Sequence, residues 1–238
     1  MSVDLRRVRV SNNDVAVLRY SPRRPRNVTI VAGHGYSSSK HNLDLLCSFL
    51  ASHGFGVYNL DFPGHKLGAS GGELRGIEDC VDAMSAVVAH AREDSGPVYT
   101  LGHSMGAMTA LFTAGSDPSI AGVVAVATGY GRPSALAALR AAGATDFRSS
   151  YVVGVDLPTL VEGVDEWYAR LLPELAGRPQ LYVAASRDAM VNAASVRDLF
   201  ERAQEPKSYA IVESDHTYAG ENARGEILQW LNGLHPRA

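Results

Sequence analysis

The chain has only two cysteines, Cys47 and Cys80, and both fall inside apolar helical patterns. Thiols so placed read as small buried residues, not as a disulfide framework or a metal pair, and they suit a reducing cytoplasm. No run of about 18 apolar residues occurs, so no membrane span is expected. The opening residues, MSVDLRRVRVSNND, lack the apolar centre of a secretory signal. An excess of one charge is also missing: 22 Lys and Arg against 25 Asp and Glu leave a net charge of −3. With 46% apolar residues this balance excludes a disordered chain. No Lys/Arg-dense stripe offers a nucleic-acid surface. The one basic cluster, Arg23, Arg24 and Arg26, is interrupted by Pro22 and Pro25 and reads as a solvated loop.

What is present is a rhythm of short β-branched runs alternating with longer helical patterns. That is the pattern of a mostly parallel sheet with crossover helices on both faces, the α/β class. Strands are expected at 6–10, 15–20, 27–32, 56–60, 98–101, 120–128, 180–185 and 207–213, about eight in all. The first two are read as a hairpin turning at Asn12, Asn13 and Asp14. Helices are expected at 41–53, 77–91, 105–114, 193–202 and 221–234. Residues 130–179 break the rhythm with two helical stretches, 133–142 and 157–172, and no buried strand. The simplest reading is one domain over 1–238 with a small helical lid inserted at 130–179, since about 50 residues are too few for a core of their own.

The strongest local signal is Gly102-His103-Ser104-Met105-Gly106, which follows the strand PVYTL and opens the helix MGAMTALFTA. A strand-to-helix turn this tight lifts the serine hydroxyl out of the sheet at the positive end of a helix. Ser104 is the candidate nucleophile. A serine needs a base, and the base needs a third group to orient it. In the α/β-hydrolases, which this turn resembles, the acid and then the histidine follow the serine in the chain. Only His216 and His235 lie beyond Ser104. His235 belongs to the tail LHPRA and reads as frayed. His216, in ESDHTYAG, follows a strand and is the candidate base. Asp188, in AASRDAMV just past the 180–185 strand, is the candidate acid, with Asp156, Asp165 and Asp215 as competitors. Two backbone amides must receive the oxyanion. That of Met105 follows the nucleophile, and that of Tyr36 lies in the turn Gly33-His34-Gly35-Tyr36-Ser37. The adjacent hydroxyls of Ser37, Ser38 and Ser39 read as solvent-facing or helix-capping.

The segments GHGYSSSKHN, NLDFPGHKLGASGG, GHSMG, SRDAMV and SDHTY, in that order, resemble the α/β-hydrolase fold serine hydrolases. Within them the compact lid and the HGY turn are similar to small esterases, monoacylglycerol-lipase-like enzymes and the serine aminopeptidase-like group. The resemblance runs from Asn27 to the C-terminus, apart from the lid. It implies a Ser104–His216–Asp188 triad, structural roles for Asp61 and His65, and no cofactor. One departure stands out. Lys66 replaces a common glycine after Gly64-His65, which leaves its role at the substrate channel open.

The reaction expected is cleavage of carboxylic esters of small to medium acyl groups. Thioester cleavage, acyl transfer or cyclisation in a biosynthetic pathway uses the same residues, as would a binding protein with slow turnover. The expected partner is a small-molecule ester or thioester. A metal site could only be built from His34, His65, His103 and His216, and no H-E-x-x-H pattern supports one. In the lid, Leu160, Val164, Trp167, Tyr168 and Leu171 share one helical face. Either that face docks on the sheet, or Trp167 or Tyr168 walls an acyl pocket over Ser104.

Overall fold

The computed structural model describes residues 1–10, 13–94, 96–141 and 147–237. Strands β1 (Ser2–Val10) and β2 (Asn13–Ser21) form an antiparallel hairpin, with Val8 opposite Val15. The Asn12 position of its turn lies outside the described residues. Then follow β3 (Thr29–Gly33), α1 (Asp44–Ser52), β4 (Gly56–Leu60), α2 (Ile77–Ala91), β5 (Val98–His103), α3 (Met105–Ser116) and β6 (Gly122–Val126). A 3₁₀ turn at Lys40–Leu43 leads into α1, so the expected helix at 41–53 starts one turn late.

Between β6 and β7 (Gln180–Ala185) lie α4 (Arg132–Ala141), α5 (Leu157–Leu160) and α6 (Val164–Leu171). The C-terminal part adds α7 (Ala193–Arg202), β8 (Lys207–Val212), α8 (Ala219–Asn222) and α9 (Arg224–Leu234). The strand expected at 120–128 is thus shorter at both ends, and residue 142 of the helix expected at 133–142 lies outside the described residues. Two expected helices are broken. Gly163, in the left-handed region at φ 72°, separates α5 from α6, and Ala223 separates α8 from α9.

The eight strands form one open sheet in the order β1-β2-β4-β3-β5-β6-β7-β8, parallel from β4 onward. Strands β3, β5, β6 and β7 are buried along their whole length, as expected where helices cover both faces. Leu46 and Leu50 of α1 share one apolar cluster with Ile227 and Leu231 of α9. Met84 and Val88 of α2, Leu111 of α3 and Leu199 of α7 share the other. The order of strand addition reverses around β3, whose successor β4 lies on one side and β5 on the other. Such a switch point leaves a crevice at the carboxyl ends of the strands, where the turns after β3 and β5 face each other.

Candidate active site

Ser104 sits between β5 and α3 with φ 55° and ψ −117°, a conformation that side-chain-bearing residues rarely adopt. A backbone of this kind stores about 1–3 kcal/mol, and the surrounding structure must hold it. Here the glycines on either side allow the hold. A Cβ on Gly102 would lie 2.0 Å from the Gly106 carbonyl oxygen, and one on Gly106 would lie 2.1 Å from that of Gly33. The turn therefore packs directly against the end of β3, and the Ser104 N–H donates to the Val126 carbonyl at 2.8 Å.

His216, past β8, places Nε2 3.0 Å from the Ser104 hydroxyl. Its Nδ1 lies 2.7 Å from Asp188 Oδ2. The other carboxylate oxygen accepts the backbone N–H groups of Met190 and Val191, at 2.8 and 2.7 Å. Burial alone would raise the Asp188 pKa. The bonds from His216, Val191 and Met190 outweigh it and hold the carboxyl below its usual value. An ionised carboxylate can only accept, so Nδ1 carries the imidazole proton and Nε2 is free to take one from Ser104. The structure thus brings Ser104, His216 and Asp188 together in one chain of hydrogen bonds.

The three competing acids are engaged elsewhere. Asp156 accepts the Thr159 N–H as the cap of α5, Asp165 accepts that of Gly131, and Asp215 accepts that of Tyr218. Gly35 brings the turn after β3 against Ser104, since a Cβ there would stand 3.3 Å from Ser104 Cβ. Tyr36 borders the same space, and its hydroxyl donates to the Val155 carbonyl at 2.9 Å. Met105 opens α3, where first-turn amides have no partner inside the helix.

A sequence profile described as the alpha/beta hydrolase family matches residues 30–233. The chain belongs to this family. No curated protein sequence matches it. Among solved structures, the Pyrococcus furiosus esterase Pf2001 is similar over 98% of this chain and 92% of its own, with 20% identity and a TM-score of 0.72. Est1E from Butyrivibrio proteoclasticus covers 95% of this chain and 98% of its own, at 12% identity and a TM-score of 0.70. The thioesterase domain from the curacin biosynthetic pathway covers 97% and 100%, at 14% identity and a TM-score of 0.65. At these identities the likeness speaks for the fold.

This hydrolase carries a cavity of about 180 Å³ beside Ser104. Ser104 and His216 line it with Met108, Leu157, Val161 and Val191. Trp167 and Tyr168 do not line it. Both rings pack against Phe112 of α3, at 5.1 and 5.0 Å between centroids, and the Tyr168 hydroxyl bonds with that of Thr128. The expectation that one of them walls the pocket is therefore corrected. The break at Gly163 turns the face of α6 onto α3, and the pocket is walled instead from α5 and the turn after it. Ser37 and Ser38 border the cavity rather than bulk solvent, and Ser39 is buried without a capping bond.

Two other histidines, His103 and His34, are buried and hydrogen-bonded to backbone. His103 Nε2 donates to the His216 carbonyl at 2.8 Å. Burial, reinforced by His216, lowers its pKa to about 4, so it stays uncharged beside the imidazole it braces. His34 Nδ1 donates to the Gly35 carbonyl and its Nε2 accepts the Phe62 N–H. Burial and neighbouring His65 lower its pKa to about 3. Asp61, fully buried, accepts from the Lys40 ammonium at 2.6 Å and from the backbone N–H groups of Lys40 and Ala69. Among the described residues no group of three or more His, Cys, Asp or Glu could hold a metal ion. Nor is any helix among them long and apolar enough to cross a membrane.

Several residues lay beyond sequence reasoning. Lys66 is exposed and absent from the cavity wall, its ammonium donating to the Ser150 carbonyl at 2.7 Å. His235 is docked rather than frayed, with Nε2 2.8 Å from the Tyr99 hydroxyl. Arg26 is not a solvated loop residue, since it donates to Asn232 and to the His235 carbonyl. Lys40 gave no signal as the partner of Asp61. Arg132 and Arg148, both on the cavity wall, were missed as well.

Proposed function

We propose that this hydrolase cleaves carboxylic esters of small to medium acyl groups through a Ser104–His216–Asp188 triad and an acyl-enzyme. The observation that carries the reading is the unbroken bond chain from Asp188 Oδ2 through His216 to the Ser104 hydroxyl, opening on a cavity. Ser104 Oγ attacks the ester carbonyl while His216 Nε2 takes its proton. The backbone amides of Tyr36 and Met105 hold the oxyanion. The imidazolium, facing ionised Asp188, gives the proton to the departing alcohol as the C–O bond breaks. Water then repeats both steps on the acyl-enzyme and frees the acid. No step asks for a cofactor.

Residues 130–179 act as the lid of this site within a single domain. A cavity of about 180 Å³ is small beside the roughly 300–1,000 Å³ of pockets for drug-sized ligands, which favours short acyl groups. The likeness to a thioesterase domain makes thioesters the second substrate class to assay.

The test is kinetic and covalent. Wild type should turn over phenyl butyrate, Ser104→Ala should retain its fold and lose that turnover by at least about a thousandfold, and a serine-directed phosphonate should label Ser104 alone. Near-wild-type turnover by the alanine variant, or labelling elsewhere, overturns the assignment.

A further inference from the structure

Two guanidinium groups, those of Arg132 at the start of α4 and Arg148 in the 3₁₀ turn Phe147–Tyr151, border the same cavity as Ser104 and His216. They meet at Met190. Arg132 Nη1 donates to its carbonyl, and Arg148 Nη1 to its sulfur at 3.3 Å. Ester hydrolysis as derived above uses neither charge.

Arg132 is the informative one of the pair. It is half-buried, and among the described residues no carboxylate lies within ion-pair distance of it. Asp188 attracts it from farther away, but both oxygens of that carboxylate are committed to His216, Met190 and Val191. Burial pushes the Arg132 pKa below its ordinary value, and Arg148 adds to the depression against the pull of Asp188. A guanidinium has five N–H donors, and the bond to Met190 engages one side of the fork. A half-buried cation with no carboxylate paired to it among the described residues is costly unless an anion joins it. Here the space next to it is the space next to the nucleophile.

We propose that the substrate carries an anionic oxygen group, carboxylate being the smallest, which Arg132 binds from the cavity wall with Arg148 adjoining. The proposal rests on Ser104 acting as the nucleophile of this cavity. The anion sits on the acyl or on the alcohol portion, and matched substrate pairs tell which.

For the acyl side the pair is phenyl hexanoate and the phenyl monoester of adipic acid. For the alcohol side it is phenyl butyrate and 4-carboxyphenyl butyrate. In one of the pairs the charged ester should have the higher kcat/KM by about tenfold or more, mainly through KM. That ratio should fall toward one in Arg132→Gln, remain partly in Arg132→Lys, and shrink as NaCl approaches about 1 M. Using a ratio cancels any general damage from losing the bond to Met190. Turnover of the neutral esters with both ratios at one or below overturns the anion site and leaves the hydrolase reading standing. A high ratio that Arg132→Gln does not change overturns the assignment to Arg132. If no ester is cleaved, the hydrolase reading fails, and titration calorimetry of adipate into Ser104→Ala, with and without Arg132→Gln, decides the anion site alone. Binding lost with Arg132 upholds it, and no binding overturns it.

Discussion

Replacing Asp188 by asparagine removes one charge and almost no volume, and the structure dictates which way the new amide must face. Asp188 Oδ1 accepts two backbone N–H groups, from Met190 and Val191, and Oδ2 accepts one from His216. The amide oxygen of asparagine will stay with the two backbone donors, because turning the NH₂ toward them would leave both unpaired in a buried loop. The NH₂ then faces His216 Nδ1 and can only donate to it. The imidazole is driven into the tautomer with its proton on Nε2, aimed at Ser104, and it can no longer accept the serine proton. In serine-protease triads this change lowers kcat by about 10⁴, and a loss of that order is expected here with KM little altered.

Stability should respond differently. One charge-assisted bond is weakened, about 1 kcal/mol, which lowers Tm by about 2–4 °C in a domain of this size. The pH dependence has a definite sign. The folded-state pKa of Asp188 lies below its unfolded value of about 3.9, so its stabilisation is present above that pH and fades as pH falls through the folded value. The Tm gap between wild type and Asp188→Asn should therefore close as pH is lowered from 7 toward about 3. Steady-state kinetics on phenyl butyrate and thermal melts across that range are the assays. A kcat within tenfold of wild type would refute the tautomer argument.

Trp167→Ala should cost about 1–3 kcal/mol of stability, because it strips a half-buried ring from Phe112, yet leave the acyl-length profile unchanged. Val161→Phe should instead move the preferred acyl chain to shorter lengths by filling the cavity, and a profile altered by Trp167→Ala but not by Val161→Phe would contradict this wall assignment. Lys40→Met should destabilise by about 3–5 kcal/mol in urea unfolding, since it leaves the Asp61 carboxylate buried without its counter-charge. Adding Asp61→Asn should recover part of that loss, and strictly additive costs would show that the two groups do not act as a pair.

The amino-acid sequence by itself determined the α/β alternation, because strands buried on both faces must be continuously apolar and amphipathic helices must repeat every three to four residues. It also determined the turn at Ser104. The glycines of GHSMG are demanded because a Cβ at either would stand about 2 Å from nearby backbone, and the flanking strand and helix are written in the same stretch of chain. The positions of Asp188 and His216 past β7 and β8 were legible for a related reason, since parallel strands deliver their following loops to one edge of the sheet. Tertiary structure alone decided what each exposed or apolar face meets. Periodicity marked Trp167 and Tyr168 as one apolar face, but only the break at Gly163 and the position of α3 chose Phe112 over the cavity. Lys40 and Asp61 are 21 residues apart and meet because β3 and β4 lie side by side. Arg132 and Arg148 come to the cavity beside Ser104 through Met190, a neighbour 58 residues from one and 42 from the other. No local pattern encodes such meetings, because attraction between charges depends on distance through space, which the packed sheet sets.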